Sequence, residues 1–545
     1  MARPFYRGEL VGTDLIWLLS IEYAGRTFRF SSEPVNVTHD DGTYVHRGHL
    51  PPLAVQEAAR AFSNEPEMLS ASFDLLFPIN VAAFEARGHD LSSATGELAL
   101  LLRGGTWETR RVLFSGAVVQ PEYGAEGEPV AFSLEEQPWD DRGVTHDPSA
   151  RLTPQTWADG SGGFRGAHAG RYYPLVYGTP GKYTAADGTA STTSGSSTMI
   201  LTRSGTDSED ADKILIAGHQ VNATTVRVFN DKGNNDLAVT TETDLLGRTV
   251  STVDVTSIGS SGADRRKTQE FYVGWNDASG GGMPNPWGPG ELSGAGDVLL
   301  WLLSMSSLSV DFGRIVAHRA WLNRFRLAGV IDQAASPWSY IEDHLLDILP
   351  VSVRSGPGGL YVLVWRLDAS AADAVETLTE GAGVARLGPV SRDRGRRDVA
   401  NEFRLDWAVS DKWDAPRRSS TLLADPDTSD TEQQASLYSK VSTSRYGQAV
   451  ESLSSTVIFD TATAGLVMAW KLRASGFLHR SIRYEVSSEY GHLEPGAVVT
   501  LTSADLHLTS QVCLVREIGW SDTGTLELDL WIVEDPARDT RESAA

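Results

Sequence analysis

The strongest constraint on this chain is an alternation near its C-terminus. Ile482, Tyr484 and Val486 are separated by Arg483 and Glu485, and Leu526, Leu528, Leu530 and Ile532 are separated by Glu527, Asp529 and Trp531. Successive strand side chains point to opposite faces, so the pattern gives strands with one dry face and one wet or shared face. It reads as a half-buried antiparallel sheet, closed as a small barrel.

Residues 1–150 carry strand and turn signals as well and read as an N-terminal β-barrel domain. Ile21 to Phe30 has the form of a hairpin, with Ala24-Gly25 between two aromatic-containing arms. Thr106 to Val119 is a second β unit, and Val130 to Leu134 alternates again. The alanine-rich stretch Pro51 to Ser63 is expected to form a short helix, and Gln137 to Gly143 marks the exit.

Residues 151–290 are rich in Gly, Ser, Thr, Asp and Asn, with low-complexity stretches at 184–197 and 257–264. Between them Lys213 to Ala217, Thr225 to Phe229 and Thr249 to Thr256 read as strands. The region is therefore expected to be an inserted β-rich module, entered after a last strand in Arg171 to Gly178.

Helical signals gather in residues 291–410, which also begin the second barrel unit. Asp297 is expected to cap Val298 to Ser304. Asp311 is expected to cap a helix carrying Phe312, Ile315, Val316, Leu322 and Phe325 and stopped by Gly329. The clearest helix has Ser336 as N-cap, Pro337 at its first position, and Trp338, Ile341, Leu345 and Ile348 at spacings of three and four before Pro350. Val351 to Arg354 and Leu360 to Leu367 then flank a Gly-Pro-Gly-Gly turn as a hairpin. Residues 411–450 read as a polar loop, acidic up to 435. In 451–545, Asp460 or Thr461 caps a helix with Leu466, Val467 and Trp470 that ends near Gly476, and the C-terminal barrel follows. The fold class is thus mainly β with a small helical segment (α+β), multidomain, as suits 545 residues.

Composition narrows the function classes. Lys and Arg number 47 against 71 Asp and Glu, a formal net charge of −24, which disfavours a protein that grips nucleic acid over a wide basic face. A single cysteine, Cys513, excludes an internal disulfide, an all-cysteine zinc site and a cysteine-ligated iron-sulfur cluster within one chain. Its setting, Val512-Cys513-Leu514-Val515, reads as a core thiol in a buried strand. No apolar run approaches a membrane span, and Glu9 and Asp14 interrupt the only leader-like stretch, so a soluble, unprocessed chain made in the cytoplasm is expected.

A search for chemistry finds no catalytic, cofactor-binding or metal residues to nominate. Gly178-Thr179-Pro180-Gly181-Lys182 lacks the flanking glycine and hydroxyl of a phosphate loop, and Gly381-Ala382-Gly383 lacks a third glycine; both read as turns. His39, His46 and His49 beside Asp40 and Asp41 read as a solvated hairpin tip, because His46 and His49 fall on opposite faces of a strand. Asp505 and His507 have no third partner. Asp425, Asp427 and Asp430 fail as a calcium loop, with Asp430 in place of the glycine and Ser436 in place of the glutamate. Arg392, Arg394, Arg396 and Arg397 read as a solvated loop, with a contact to an acidic neighbouring subunit or a nucleic-acid patch as alternatives. Among the 15 tryptophans, Trp301, Trp321, Trp338, Trp470 and Trp531 are expected in core or interface positions. Trp139, Trp275, Trp287 and Trp413 are expected in loops, for partner contacts or sugar stacking.

The C-terminal pieces Thr461 to Leu466, Leu493 to Thr502, Leu514 to Ile518 and Leu526 to Val533 together resemble the hub proteins at the distal tail tip of long-tailed bacteriophages and gene transfer agents. Pro337-Trp338, Leu349-Pro350, Gly359-Leu360-Tyr361 and Val399 to Phe403 fit the same resemblance, and the N-terminal hairpin looks like the tube-type domain of such hubs. Residues 180–290 lie outside it. The resemblance implies a homotrimer whose two β-barrel domains per chain form a pseudo-sixfold ring continuing the tail tube. It implies contacts with a distal tail protein, a tape-measure protein and fibre or receptor-binding proteins, with DNA passing through the lumen unbound and no stable membrane insertion. Some relatives carry an iron-sulfur cluster or a fused peptidase or glycan hydrolase; with one cysteine and no hydrolase motif this chain departs from both, and neither cofactor nor enzymatic activity is expected. Another tail component, such as a distal ring or baseplate adaptor, and a glycan-binding or glycan-cleaving β protein are the alternative readings. As a hypothesis, the acidic charge lines the channel and repels DNA in transit.

Overall fold

The computed structural model describes residues 15–48, 50, 55–58, 70–75, 86–88, 91, 94–122, 130–135, 141–147, 151–152, 170–181, 196–198, 200–203, 211–230, 233–244, 247–258, 271–275, 280–356, 358–381, 383–392, 396–408, 417–421, 430–520 and 525–532. Sheets dominate it, and two of them curl as half-barrels.

The N-terminal sheet has eight strands in the order Val35–His39, Gly42–Gly48, Arg26–Ser31, Leu15–Tyr23, Thr95–Leu102, Arg111–Glu122, Val130–Glu135 and Ser70–Leu75. Its central strand is apolar on both faces. Trp17, Leu19 and Ile21 enter a large core, whereas Ile16 and Leu18 pack on the other side with Val37, Ala99 and Leu101. The expected hairpin is present: Tyr23 pairs with Arg26, and Ala24 and Gly25 adopt φ of 47° and 75°, the left-handed pair that lets a two-residue turn follow the strand twist.

The inserted module is a seven-stranded antiparallel sheet in the order Ser196–Thr198, Tyr272–Trp275, Thr225–Asn230, Gly233–Thr243, Thr249–Asp254, Ala211–Ala217 and Ile200–Arg203. Its three expected strands form, and Val226, Val228, Val253, Val273 and Trp275 build its own core. The chain enters and leaves through a closed neck: Gly282 N donates to Gly178 O at 2.6 Å and Met283 N donates to Val176 O at 2.8 Å. A Cβ on Gly178, at φ 61°, would run into the Leu327 carbonyl, and one on Gly282 into the Val176 carbonyl, so the neck is that tight because both are glycine.

Helices Ala295–Met305, Phe312–Leu322, Pro337–His344 and Thr461–Ser475 pack with the hairpin Val351–Gly356/Gly359–Val364 into a second large core. A three-stranded sheet joins that core, with Glu402–Trp407 between antiparallel Arg417–Ser420 and parallel Val450–Ser454. The caps at Asp311, Ser336 and Asp460 form as read, each accepting a backbone N–H from three residues on. Other readings in this region change. Helix Ala295–Met305 begins after Gly294, and Asp297 lies inside its first turn, 3% exposed, because its carboxylate is taken by the side chains of Arg319, Asn285 and Asn323. Helix Phe312–Leu322 ends at Asn323; Gly329 instead opens the strand Gly329–Ile331, which pairs with Leu175–Tyr177. Ile315, Leu322 and Phe325 are buried, but Phe312 and Val316 are exposed. The polar loop at 411–450 contains the strand Arg417–Ser420 and the helix Asp430–Tyr446, held by Ser439 and Ser442, which donate to the carbonyls of Asn401 and Gly476.

The C-terminal sheet runs Glu376–Thr379, Val498–Ser503, Leu508–Trp520, Leu526–Ile532, Arg480–Val486 and Val384–Arg386. It is mixed, since Glu376–Thr379 lies parallel to Val498–Ser503. Its alternation is that of a shared face. Leu528, Leu530, Cys513 and Val515 enter the N-terminal core, while Leu514, Trp531 and Val498 enter the helical core.

Candidate functional site

The two curled sheets are fused. Trp17, Leu19, Phe30 and Leu98 from one and Ile482, Tyr484, Ile518 and Leu528 from the other belong to a single apolar core. A backbone stitch reinforces it: Val55–Ala58 adds to Leu508–Trp520 antiparallel, with Val55 opposite Trp520 and Ala58 opposite Glu517. Of the helix expected over Pro51 to Ser63, the described residues Val55–Ala58 are strand instead, because a vacant sheet edge supplies backbone partners that local alanine propensity does not outweigh, and the rest lies outside the described residues. Arg111 bridges the same seam, donating to Leu493 O at 3.4 Å with its guanidinium 5.4 Å from the Trp520 ring.

The two ends of the curled C-terminal sheet are tied by their own chain. Its outermost strands, Glu376–Thr379 and Val384–Arg386, are joined by residues 380–383 alone, so the sheet must curl until its two ends nearly meet. Arg386 reaches Glu380 at 3.9 Å and Asp505 at 3.5 Å across that seam, and the Ser503 hydroxyl donates to Glu380. Asp505 is therefore part of the closure and His507 a turn residue at φ 53°. Gly381 and Gly383, at φ 97° and 72°, are turn glycines as read. Cys513 is fully buried, and burial pushes its thiol up to about 12, which makes it the inert core thiol expected from its strand.

The histidine patch is organised differently from its sequence reading. His39 and His46 face one another from strands Val35–His39 and Gly42–Gly48, with Nε2 atoms 3.4 Å apart. Their ring centroids are 5.7 Å apart and their planes 17° apart, so the nitrogens meet in line, as N–H···N partners do, and do not converge on a common point as metal ligands must. Trp107 stacks on His39 at 4.4 Å. His46 is fully buried, not solvated, and burial lowers its pKa to about 4; burial lowers His39 as well. His49 lies outside the described residues. Among the described residues no three metal-ligating side chains gather.

Of the arginine run, Arg392 sits in strand Ser391–Arg392 and donates to Leu478 O at 2.8 Å, Arg396 and Arg397 lie in a short 3₁₀ turn, and Arg394 is outside the described residues. Trp275 is a fully buried strand residue rather than a loop residue, since it anchors the inserted module. Trp287 is exposed, Trp338, Trp470 and Trp531 are buried, Trp301 and Trp321 are half-buried, and Trp139 and Trp413 are outside the described residues. Asp425 and Asp427 are likewise outside, and Asp430 starts a helix. Sequence reasoning missed a cavity of about 190 Å³ bordered by Trp321, Tyr438, Trp470 and Arg473 from three separate helices and by Trp365, Leu367 and Asp368 from the segment after the hairpin. Among the described residues no helix is long and apolar enough to cross a membrane.

No protein-family model matches the chain, and no curated protein matches it. Solved structures do. A tail protein from Neisseria meningitidis is 10% identical with a TM-score of 0.35, over 95% of this chain and 97% of that one. A prophage tail protein from Listeria monocytogenes is 9% identical with a TM-score of 0.33, over 97% and 98%. A prophage tail protein from Shewanella oneidensis is 9% identical with a TM-score of 0.31, over 95% and 97%. The structural neighbours of this chain are thus phage tail proteins.

Proposed function

We propose that this chain is the structural hub of a phage-like tail tip, a non-enzymatic scaffold located in the virion. The observation that carries the reading is the fusion of two curled sheets about one core with a shared strand, which makes the pair a rigid two-barrel segment. Three such segments related by a threefold axis place six barrels around a channel, the number needed to continue a sixfold tube. The ring would meet a distal tail protein and a tape-measure protein on the tube side and fibre or receptor-binding proteins at the other end.

Three copies carry three times −24, or −72. Acidic side chains facing the channel would repel phosphate and let DNA slide without sticking, the hypothesis that the composition motivates.

Light scattering on the purified chain tests the assembly. A stable trimer supports the hub, a hexamer points to a distal ring protein, and a monomer at micromolar concentration removes the ring. A particle reconstruction in which the lumen is neutral or basic would remove the charge hypothesis while leaving the hub in place.

A further inference from the structure

The cavity between helices Phe312–Leu322, Asp430–Tyr446 and Thr461–Ser475 belongs neither to the barrel junction nor to the seam. Its volume of about 190 Å³ exceeds that of a cavity able to hold a benzene ring, roughly 150 Å³. Trp321, Tyr438 and Trp470 offer flat aromatic surfaces at its edge, and Leu466 and Ala469 line it from the last helix.

Its polar groups are unevenly matched. Arg473 donates Nη1 to Leu367 O at 3.2 Å and lies 5.6 Å from the Tyr438 ring, but it has no carboxylate partner among the described residues. At the mouth, Arg324 lies over Trp321 at 5.5 Å and pairs with Asp368 at 2.7 Å, both groups remaining partly open to solvent. Inside the cavity Arg473 therefore lacks a counter-charge among the described residues, whereas the mouth offers donor and acceptor together.

We propose that this cavity is a binding site for an acidic sugar, a pyranose ring carrying a carboxylate. The ring's C–H face lies on the aromatic walls, its carboxylate is forked by Arg473, and its hydroxyls bridge Arg324 and Asp368. A neutral hexose leaves Arg473 without a counter-charge, and an aromatic carboxylate brings no hydroxyl to Asp368. The site adds a ligand-binding role to the scaffold role and does not depend on it.

The test is titration of the full chain with sodium D-glucuronate and sodium D-galacturonate, followed by tryptophan fluorescence and saturation-transfer NMR, with D-glucose and benzoate as comparators. Saturable binding of at least one uronate is expected, about tenfold or more tighter than glucose, which corresponds to about 1.4 kcal/mol. Arg473→Gln, which removes the charge, and Ala469→Leu, which fills the space, each weaken it by about tenfold or more while thermal midpoints stay near that of the parent. Absence of saturable uronate binding, glucose binding as tight as uronate, or binding that survives in both folded variants overturns the proposal. Benzoate binding as tightly as uronate also overturns it, by showing an aromatic-carboxylate site.

Discussion

Arg516 and Asp529 form an ion pair inside the C-terminal sheet, with Nη2 2.5 Å from Oδ2 and the carboxylate 4% exposed. Arg483 approaches the same oxygen at 3.7 Å, and the Ser481 hydroxyl donates to the other. Asp529 is thus an acidic node in a strand whose neighbours Leu528 and Leu530 are buried, and it holds strands Leu508–Trp520, Leu526–Ile532 and Arg480–Val486 together by charge as well as by ladder.

Removing the node leaves its cations without a counter-charge. Asp529→Ala is expected to cost about 1–3 kcal/mol, since Arg516 and Arg483 remain partly open to solvent, and Asp529→Asn less, because an amide still accepts from Ser481. Urea unfolding followed by tryptophan fluorescence measures both; a loss below about 1 kcal/mol for the alanine variant would mean that the pair is solvated.

Arg354 is the opposite case. It is 2% exposed, opposite Tyr361 in the helical core's hairpin, and none of its Nε, Nη1 and Nη2 atoms has a hydrogen-bond partner among the described residues. A buried cation without acceptors is a cost that a thioether side chain of similar length avoids. Arg354→Met is therefore expected to stabilise the chain by about 1–3 kcal/mol. A lower thermal midpoint in that variant would contradict the assignment.

His46 predicts a pH dependence with a definite sign. Its folded pKa, lowered by burial to about 4, lies below the ordinary value of 6.5, so the unfolded chain takes up a proton that the folded chain refuses. Its contribution is whole above pH 6.5 and is lost as pH falls toward 4; lowering of His39 acts in the same direction. His46→Gln should flatten the slope of stability against pH in that window, read from urea midpoints at pH 7, 6, 5 and 4.5. An unchanged slope would show that His46 titrates normally.

The neck of the inserted module predicts that the module can be removed. Because Gly178 and Gly282 are hydrogen-bonded to each other, replacing residues 180–280 by two or three glycines spans a gap the chain already closes. The shortened chain is expected to fold with near-parental far-UV circular dichroism and the parent's oligomeric state, with some loss of stability because Val176 and Val330 lose the module's cover. Aggregation on expression would show that the module supports the body rather than decorating it.

What the sequence discloses here is what is local. The caps at Asp311, Ser336 and Asp460 are read from three or four residues and form as read, and so does the Ala24-Gly25 turn. Asp297 misleads because a capping residue and a buried ion-pair residue look alike until Arg319 is placed beside it. Val55–Ala58 misleads because its partner, Leu508–Trp520, is more than 400 residues away in the chain. The cavity leaves no linear trace for the same reason: Trp321, Tyr438 and Arg473 sit on three helices with no shared spacing. The histidine pair leaves no simple trace in the spacing: the hairpin register sets Val35 opposite His46 and His39 opposite Gly42, so the two residues share a face but start from opposite ends of the ladder.

The turn at residues 380–383 has a consequence for how copies of this chain can meet. A sheet whose terminal strands are tied by four residues and bridged by Arg386, Glu380 and Asp505 presents no length of vacant backbone at that seam to a foreign strand. In the N-terminal sheet, by contrast, the end strands Val35–His39 and Ser70–Leu75 are not joined to each other. At the seam of the second sheet a neighbouring copy meets side chains, whereas the end strands of the first sheet, among the described residues, leave backbone for it to pair with.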